Sequence, residues 1–141
     1  MRRWGWNDAW ILTAAVLAHE NRGTGISQII GAADLLNHLI PTHRELSRAF
    51  SRLTSCGLMK IRNGRYLVPR VYRLQIRQAL EKRRGLFSLP DNCLKWLQRS
   101  GIEPGLSDIV SVSKSDVRIA YEEYVQLLKK RPPKDRARKS P

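Results

Sequence analysis

Cysteine is scarce in this chain. The two present among 141 residues, Cys56 and Cys93, lie far apart, and neither sits in a metal-type spacing. With no secretory signal at the N-terminus, this scarcity points to reduced thiols in a cytoplasm and not to a disulfide framework. Long apolar runs are lacking too. The longest, Ala9 to Ala18, is too short to cross a bilayer and is broken by Thr13, so no membrane role is expected. Catalytic signatures are equally absent: no phosphate loop, no nucleophile elbow and no paired carboxylates. His19, His38 and His43 are scattered, with no cysteine or carboxylate at ligand spacing. Cys56 falls near a helix C-terminus, where the dipole raises a thiol pKa, and Cys93 has no accompanying base. The expectation is therefore no enzyme, no metal and no cofactor.

Acidic residues are the next shortage. Twelve Asp and Glu face 26 Lys and Arg, for a net charge of +14 and a pI near 10.7. A charge of that size draws a protein to polyanions without choosing among DNA, RNA and acidic membrane. Its distribution says more. Residues 1–41 hold three basic and three acidic residues, a net of zero. Residues 42–84 hold twelve basic against Glu45 and Glu81, a net of +10, and residues 85–141 hold eleven against seven, a net of +4. Most of the excess thus sits in one 43-residue stretch, the positional signature of a polyanion-binding face.

Hydrophobic spacing orders the elements. Asn7 or Asp8 can cap a first helix, Ala9 to Asn21, apolar on nearly every side and so central to the core. Arg22-Gly23-Thr24-Gly25 ends it. Ser27 is the expected N-cap of a second helix carrying Ile29, Ile30, Ala33 and Leu36. Pro41 closes a short turn, and Thr42 with Glu45 forms a capping box for a third helix. Leu46, Phe50, Leu53 and Gly57 fall at i, i+4, i+7 and i+11, which defines its buried face, with Gly57 as C′ residue. Strands 58–62 and 65–68 flank Asn63-Gly64, whose residues both accept the positive φ of a type I′ turn. Helices are then expected over 70–84, 91–100 and from Ser113 to Lys130, with 101–112 irregular. The tail RPPKDRARKSP has almost no apolar residue and should be disordered.

The second helix around Ile29 to Asn37, the Leu39-Ile40-Pro41 turn and the segment THRELSRAFSRLTSCGLMKI together resemble the winged helix-turn-helix fold. The last segment is similar to the "L…AL.RL...GLI" pattern of MarR-like and PadR-like bacterial regulators, here Leu46, Ala49, Phe50, Leu53, Gly57, Leu58 and Ile61. The likeness covers roughly residues 8–70. It implies a mainly α fold with a small β-hairpin: a winged helix-turn-helix domain over 1–69 and additional C-terminal helices over 70–130. That extension either packs on the domain or forms a dimer face, and residues 131–141 make a basic tail. The wing is very short, so any contact it makes with the nucleic-acid backbone runs through Arg62 and Arg65 alone; the alternative role for these charges is protection of the strand edge.

On helix 42–56 the surface opposite the apolar stripe carries His43, Arg44, Ser47, Arg48, Ser51, Arg52 and Ser55. Arginine can make two parallel hydrogen bonds to guanine in the major groove, and serine serves bases or phosphates. The N-terminal turn of such a helix reaches the bases, so Arg44, Ser47 and Arg48 are the expected readers, with Arg52 on the backbone. The expected DNA-binding set is Thr42, His43, Arg44, Ser47, Arg48, Ser51, Arg52, Arg62, Arg65, Arg70, Arg73 and Arg77, the last three a stripe on helix 70–84. The C-terminal helix shows a wide apolar stripe, Val117, Ala120, Tyr121, Tyr124, Leu127 and Leu128. It could pack with Trp96 and Leu97 or form a homodimer face. Trp4, Trp6 and Trp10 are expected to cover the core. The expected function is binding of double-stranded DNA as a transcriptional regulator. The alternatives are a winged-helix protein-interaction module with non-specific nucleic-acid binding, and an RNA-binding factor.

Overall fold

The computed structural model describes residues 3–82, 88–106 and 108–130. Among these the chain is mainly helical, with one small antiparallel hairpin. The order is α1 (Trp6–Ala18), α2 (Ile26–Asn37), α3 (His43–Ser55), β1 (Lys60–Arg62), β2 (Arg65–Leu67), α4 (Arg70–Leu80), α5 (Leu89–Arg99) and α6 (Lys114–Lys129). No helix is long and apolar enough to cross a membrane.

α1 is buried from Asp8 to Val16, as its all-round apolarity demands, and α2, α3, α4 and α5 pack against it. It begins one turn earlier than the sequence suggests. Gly5 is the N-cap, and its N–H donates to the Asp8 carboxylate at 2.8 Å. α2 also starts early, at a Gly25 cap whose N–H donates to Gln28 Oε1 at 3.1 Å, which leaves the expected cap Ser27 buried inside the helix. In both cases a side chain at N3 reaching back to the cap N–H fixes the start two or three residues before the expected cap.

The segment from Thr42 onward folds as its residues indicate. Glu45 N–H donates to Thr42 Oγ1 at 3.1 Å, and Thr42 N–H donates to Glu45 Oε1 at 2.9 Å. Leu46, Ala49, Phe50 and Leu53 are buried, and Gly57 at φ 86° turns the chain out of α3. Asn63 and Gly64 sit at φ 53° and 72°, and Lys60–Leu67, Ile61–Tyr66 and Arg62–Arg65 face each other across the hairpin. The hairpin is anchored by Tyr66, whose ring stacks on Phe50 at 4.3 Å. Tyr66 also exchanges both backbone hydrogen bonds with Thr24, at 2.7 and 2.8 Å. Gly23 permits that approach: a Cβ there would lie 2.6 Å from the Tyr66 carbonyl.

α5 packs on α1 and α4, burying Cys93 and Leu97, while Trp96 meets Tyr72 edge-on. α6 packs on α2 and, less extensively, on α3, so of the two alternatives open from sequence the packing on Trp96 and Leu97 is replaced by packing on α2. Its Tyr124 ring lies where a Cβ on Gly31 would sit, 2.6 Å away, so the small residue in α2 admits the aromatic one. Ile119, Tyr121, Leu127 and Leu128 of α6 remain exposed. The last residues of the expected helix 70–84 and the tail 131–141 fall outside the described residues.

The N-terminal tryptophans are packing residues. Trp10 donates to the Ala33 carbonyl at 2.9 Å, Trp4 to the Ile102 carbonyl at 2.7 Å, and Trp6 to Asp91 at 2.9 Å.

Candidate nucleic-acid interface

The outward face of α3 is not open along its length. Residues 104–106 and 108–112 run over it as an irregular strap bonded to a serine row of period four. Ser47 Oγ accepts from Val112 N–H at 2.8 Å and also lies 3.2 Å from the Val112 carbonyl. Ser51 Oγ accepts from Val110 N–H and lies 3.0 Å from its carbonyl. The Gly105 N–H donates to the Arg52 carbonyl at 3.1 Å, and a Cβ on Gly105 would stand 1.9 Å from Ser55 Cβ. Ser51 is 2% exposed. The expectation of Ser47 and Ser51 as free surface donors is thereby corrected. Each hydroxyl substitutes for a β-ladder partner of the strap, satisfying backbone groups that would otherwise lie orphaned against the helix.

Arg52 is likewise occupied. Its Nε donates to both oxygens of Asp8, at 3.0 and 3.1 Å, its NH2 donates to the Arg3 carbonyl, and its guanidinium sits 5.8 Å from the Trp4 ring centroid. Among the described residues this is the arginine that a carboxylate neutralises. Its expected role on the DNA backbone is therefore corrected to a tie between α3 and the start of α1.

What α3 still offers near its N-terminus is a pair of arginines. Arg44 and Arg48 are exposed and border a groove of about 390 Å³ with Arg3, Gly5, Asn7 and Glu45. Thr42 is exposed but committed to the capping box, and His43 is half-buried with its carbonyl accepting from Ser47 at 2.7 Å.

A second basic surface forms where the hairpin, α4 and the end of α1 meet. Because strand side chains alternate and directly opposed residues share a face, Lys60, Arg62 and Arg65 project together, away from Tyr66. Arg65 donates to the carbonyls of Arg22 and Gly23 at 3.1 and 2.9 Å. Arg73 donates to the Val68 carbonyl at 3.1 Å and approaches His19 Nε2 at 3.3 Å. Arg77 donates to the Val16 carbonyl at 3.3 Å, at the negative end of the α1 dipole. Arg70 is exposed on the same stripe of α4. Burial together with the charges of Arg73, Arg77 and Arg65 holds the His19 pKa below the usual imidazole value.

The structure thus separates the expected residues into two groups: Arg44 and Arg48 at the start of α3, and Arg62, Arg65, Arg70, Arg73 and Arg77 around the hairpin. His19 and Lys60 join the second group unannounced. Lys60 was readable, since period two puts it on the face of Arg62. His19 was not, since only the packing of α4 on α1 brings it there.

The thiols are poorly placed for chemistry. Cys93 is fully buried and its pKa is pushed up to about 12, and burial raises Cys56 as well. Among the described residues no group of His, Cys, Asp and Glu could hold a metal ion. No protein-family model matches the chain, and no curated protein or solved structure does either.

Proposed function

We propose that the protein binds nucleic acid, with double-stranded DNA as its target, in the manner of a winged helix-turn-helix regulator working in the cytoplasm. The observation that carries this reading is the set of hairpin and α4 arginines held by backbone carbonyls and not by carboxylates. Ordinary solvated faces mix both signs of charge. Guanidinium groups fixed in orientation yet left un-neutralised suit phosphate oxygens.

The chain order supports the winged reading: two helices, a short turn, a third helix and a hairpin, with Thr24 bridged to Tyr66 like a rudimentary third strand. With the serine row covered, base reading falls to Arg44 and Arg48, where a helix enters a groove by its N-terminal turn. The reading involves no catalysis and no cofactor.

Selection of genomic fragments at physiological salt, followed by footprinting, tests the proposal. Enrichment of a defined duplex, reduced by Arg44→Ala with Arg48→Ala, is the expected result. A protein that enriches nothing above background would not be a regulator. One observation favours a second reading, a protein-interaction module: Leu106 and Ile109 on the strap are 71% and 62% exposed. That reading expects weak, sequence-blind binding which survives the two substitutions.

A further inference from the structure

Two residues directly opposite on one face of a hairpin have Cβ atoms about 5 Å apart, and like charges there are destabilising. Arg62 and Arg65 stand in that relation, with Lys60 on the same face two residues away. Arg65, Arg73 and Arg77 lie close enough to His19 to depress its protonation. Their neighbours fix them without neutralising them. Each guanidinium gives one or two of its five N–H donors to a carbonyl and keeps the others, together with its full charge. Asp116 and Glu123 line a hollow with Gly64 and Arg65, but among the described residues neither carboxylate comes within ion-pair distance of Arg65. A helix cap needs one cation, and hairpin-edge protection needs one charge. Neither accounts for a convergence from three elements.

We propose that the outer face of the hairpin, with Arg73, Arg77 and His19, is a phosphate-binding site that takes the backbone of the nucleic acid. The proposal rests on the nucleic-acid reading above and places the phosphate contacts on the hairpin and α4, away from the strapped face of α3. The anchored guanidinium groups receive phosphate oxygens with little side-chain ordering left to do. His19 sits at the inner edge, facing Arg73 and Arg77 from α4, Arg65 from the hairpin, and the Glu20 backbone in its own loop.

The test uses the full chain and a duplex of mixed sequence. Arg73→Gln with Arg77→Gln leaves an amide donor for each carbonyl but removes two charges. The slope of log K against log salt should fall by about 2 units, at about 0.9 for each phosphate that is no longer neutralised. In the unmutated protein, the His19 ring followed by NMR should titrate at higher pH once duplex is bound, because phosphate offsets the surrounding cations. A duplex that binds with an unchanged slope in the double variant, and leaves His19 unmoved, overturns the site while nucleic-acid binding itself stands. A His19 response to inorganic phosphate but not to duplex also overturns it, in favour of a small-anion site. If the unmutated protein binds neither DNA nor RNA, the site and the function reading fall together.

Discussion

Arg52 on α3 and Arg73 on α4 are both held in place by other parts of the chain, yet only the first is neutralised. Asp8 takes the Arg52 charge, and the strap closes the serines beside it. Arg73 meets a carbonyl and a neutral imidazole, and its neighbours Arg65 and Arg77 meet carbonyls alone. The middle of α3 is satisfied internally. The surface around Arg73 still has donors and charge to offer a partner. Both surfaces carry arginines, so arginine content alone does not identify a binding surface; what each guanidinium is bonded to does.

The sharpest way to break this contrast is to remove the internal neutralisation. Asp8→Ala leaves Arg52 without its carboxylate and Gly5 without its cap acceptor. It should cost about 3 kcal/mol, read from the midpoint of urea unfolding, since hydrogen bonds to charged groups contribute roughly 1.5–3 kcal/mol and a cap about 1. An unchanged midpoint would mean that the tie between α1 and α3 contributes nothing.

Opening the strap is next. Gly105→Val places a side chain into Ser55 and should cost about 1–3 kcal/mol as overpacking. The Val110 and Val112 amides should lose hydrogen-exchange protection while the Leu53 and Phe50 amides keep theirs. Protection lost everywhere would show that the strap is part of the cooperative core and not a cover laid over it.

The open face predicts the opposite sign. Arg62→Gln should raise stability by a few tenths of a kcal/mol at low salt, because it relieves the cross-strand repulsion with Arg65. The gain, read by thermal unfolding, should vanish at high salt as screening sets in. A loss of stability would mean that the pair is not repulsive.

The smallest effect concerns pH. The His19 pKa is lowered in the folded protein, so as pH falls below about 6.5 the unfolded chain takes up the proton first. Stability should therefore decline with acid from about pH 6.5 down to the folded value, and His19→Gln should flatten that part of the profile. A profile identical in both proteins would place His19 away from the arginines.

Much of the fold was legible because it depends on neighbours in sequence. The Thr42–Glu45 box, the Leu46/Phe50/Leu53 face and the Asn63-Gly64 turn each involve residues within about two helical turns of one another. The starts of α1 and α2 were missed by two or three residues because Gly5 and Gly25 cap through Asp8 and Gln28, and glycine gives no side-chain signal. The site was half legible. Periodicity placed the arginines on outward faces, and Arg44, Arg48, Arg62 and Arg70 are indeed exposed. It could not foresee that Val110 and Val112, about 60 residues further along, would bond to Ser51 and Ser47.

Local spacing and composition were enough to set the elements, the strongly basic stretch 42–84 and the apolar side of each element. Which outward residues stay outward was left to packing between distant segments. Those long-range contacts chose Asp8 for Arg52, a strap for the serines, and carbonyls with His19 for the α4 arginines. The physical reason is that a charge or hydroxyl is free only when nothing folded beside it satisfies it, and such neighbours come from anywhere in the chain.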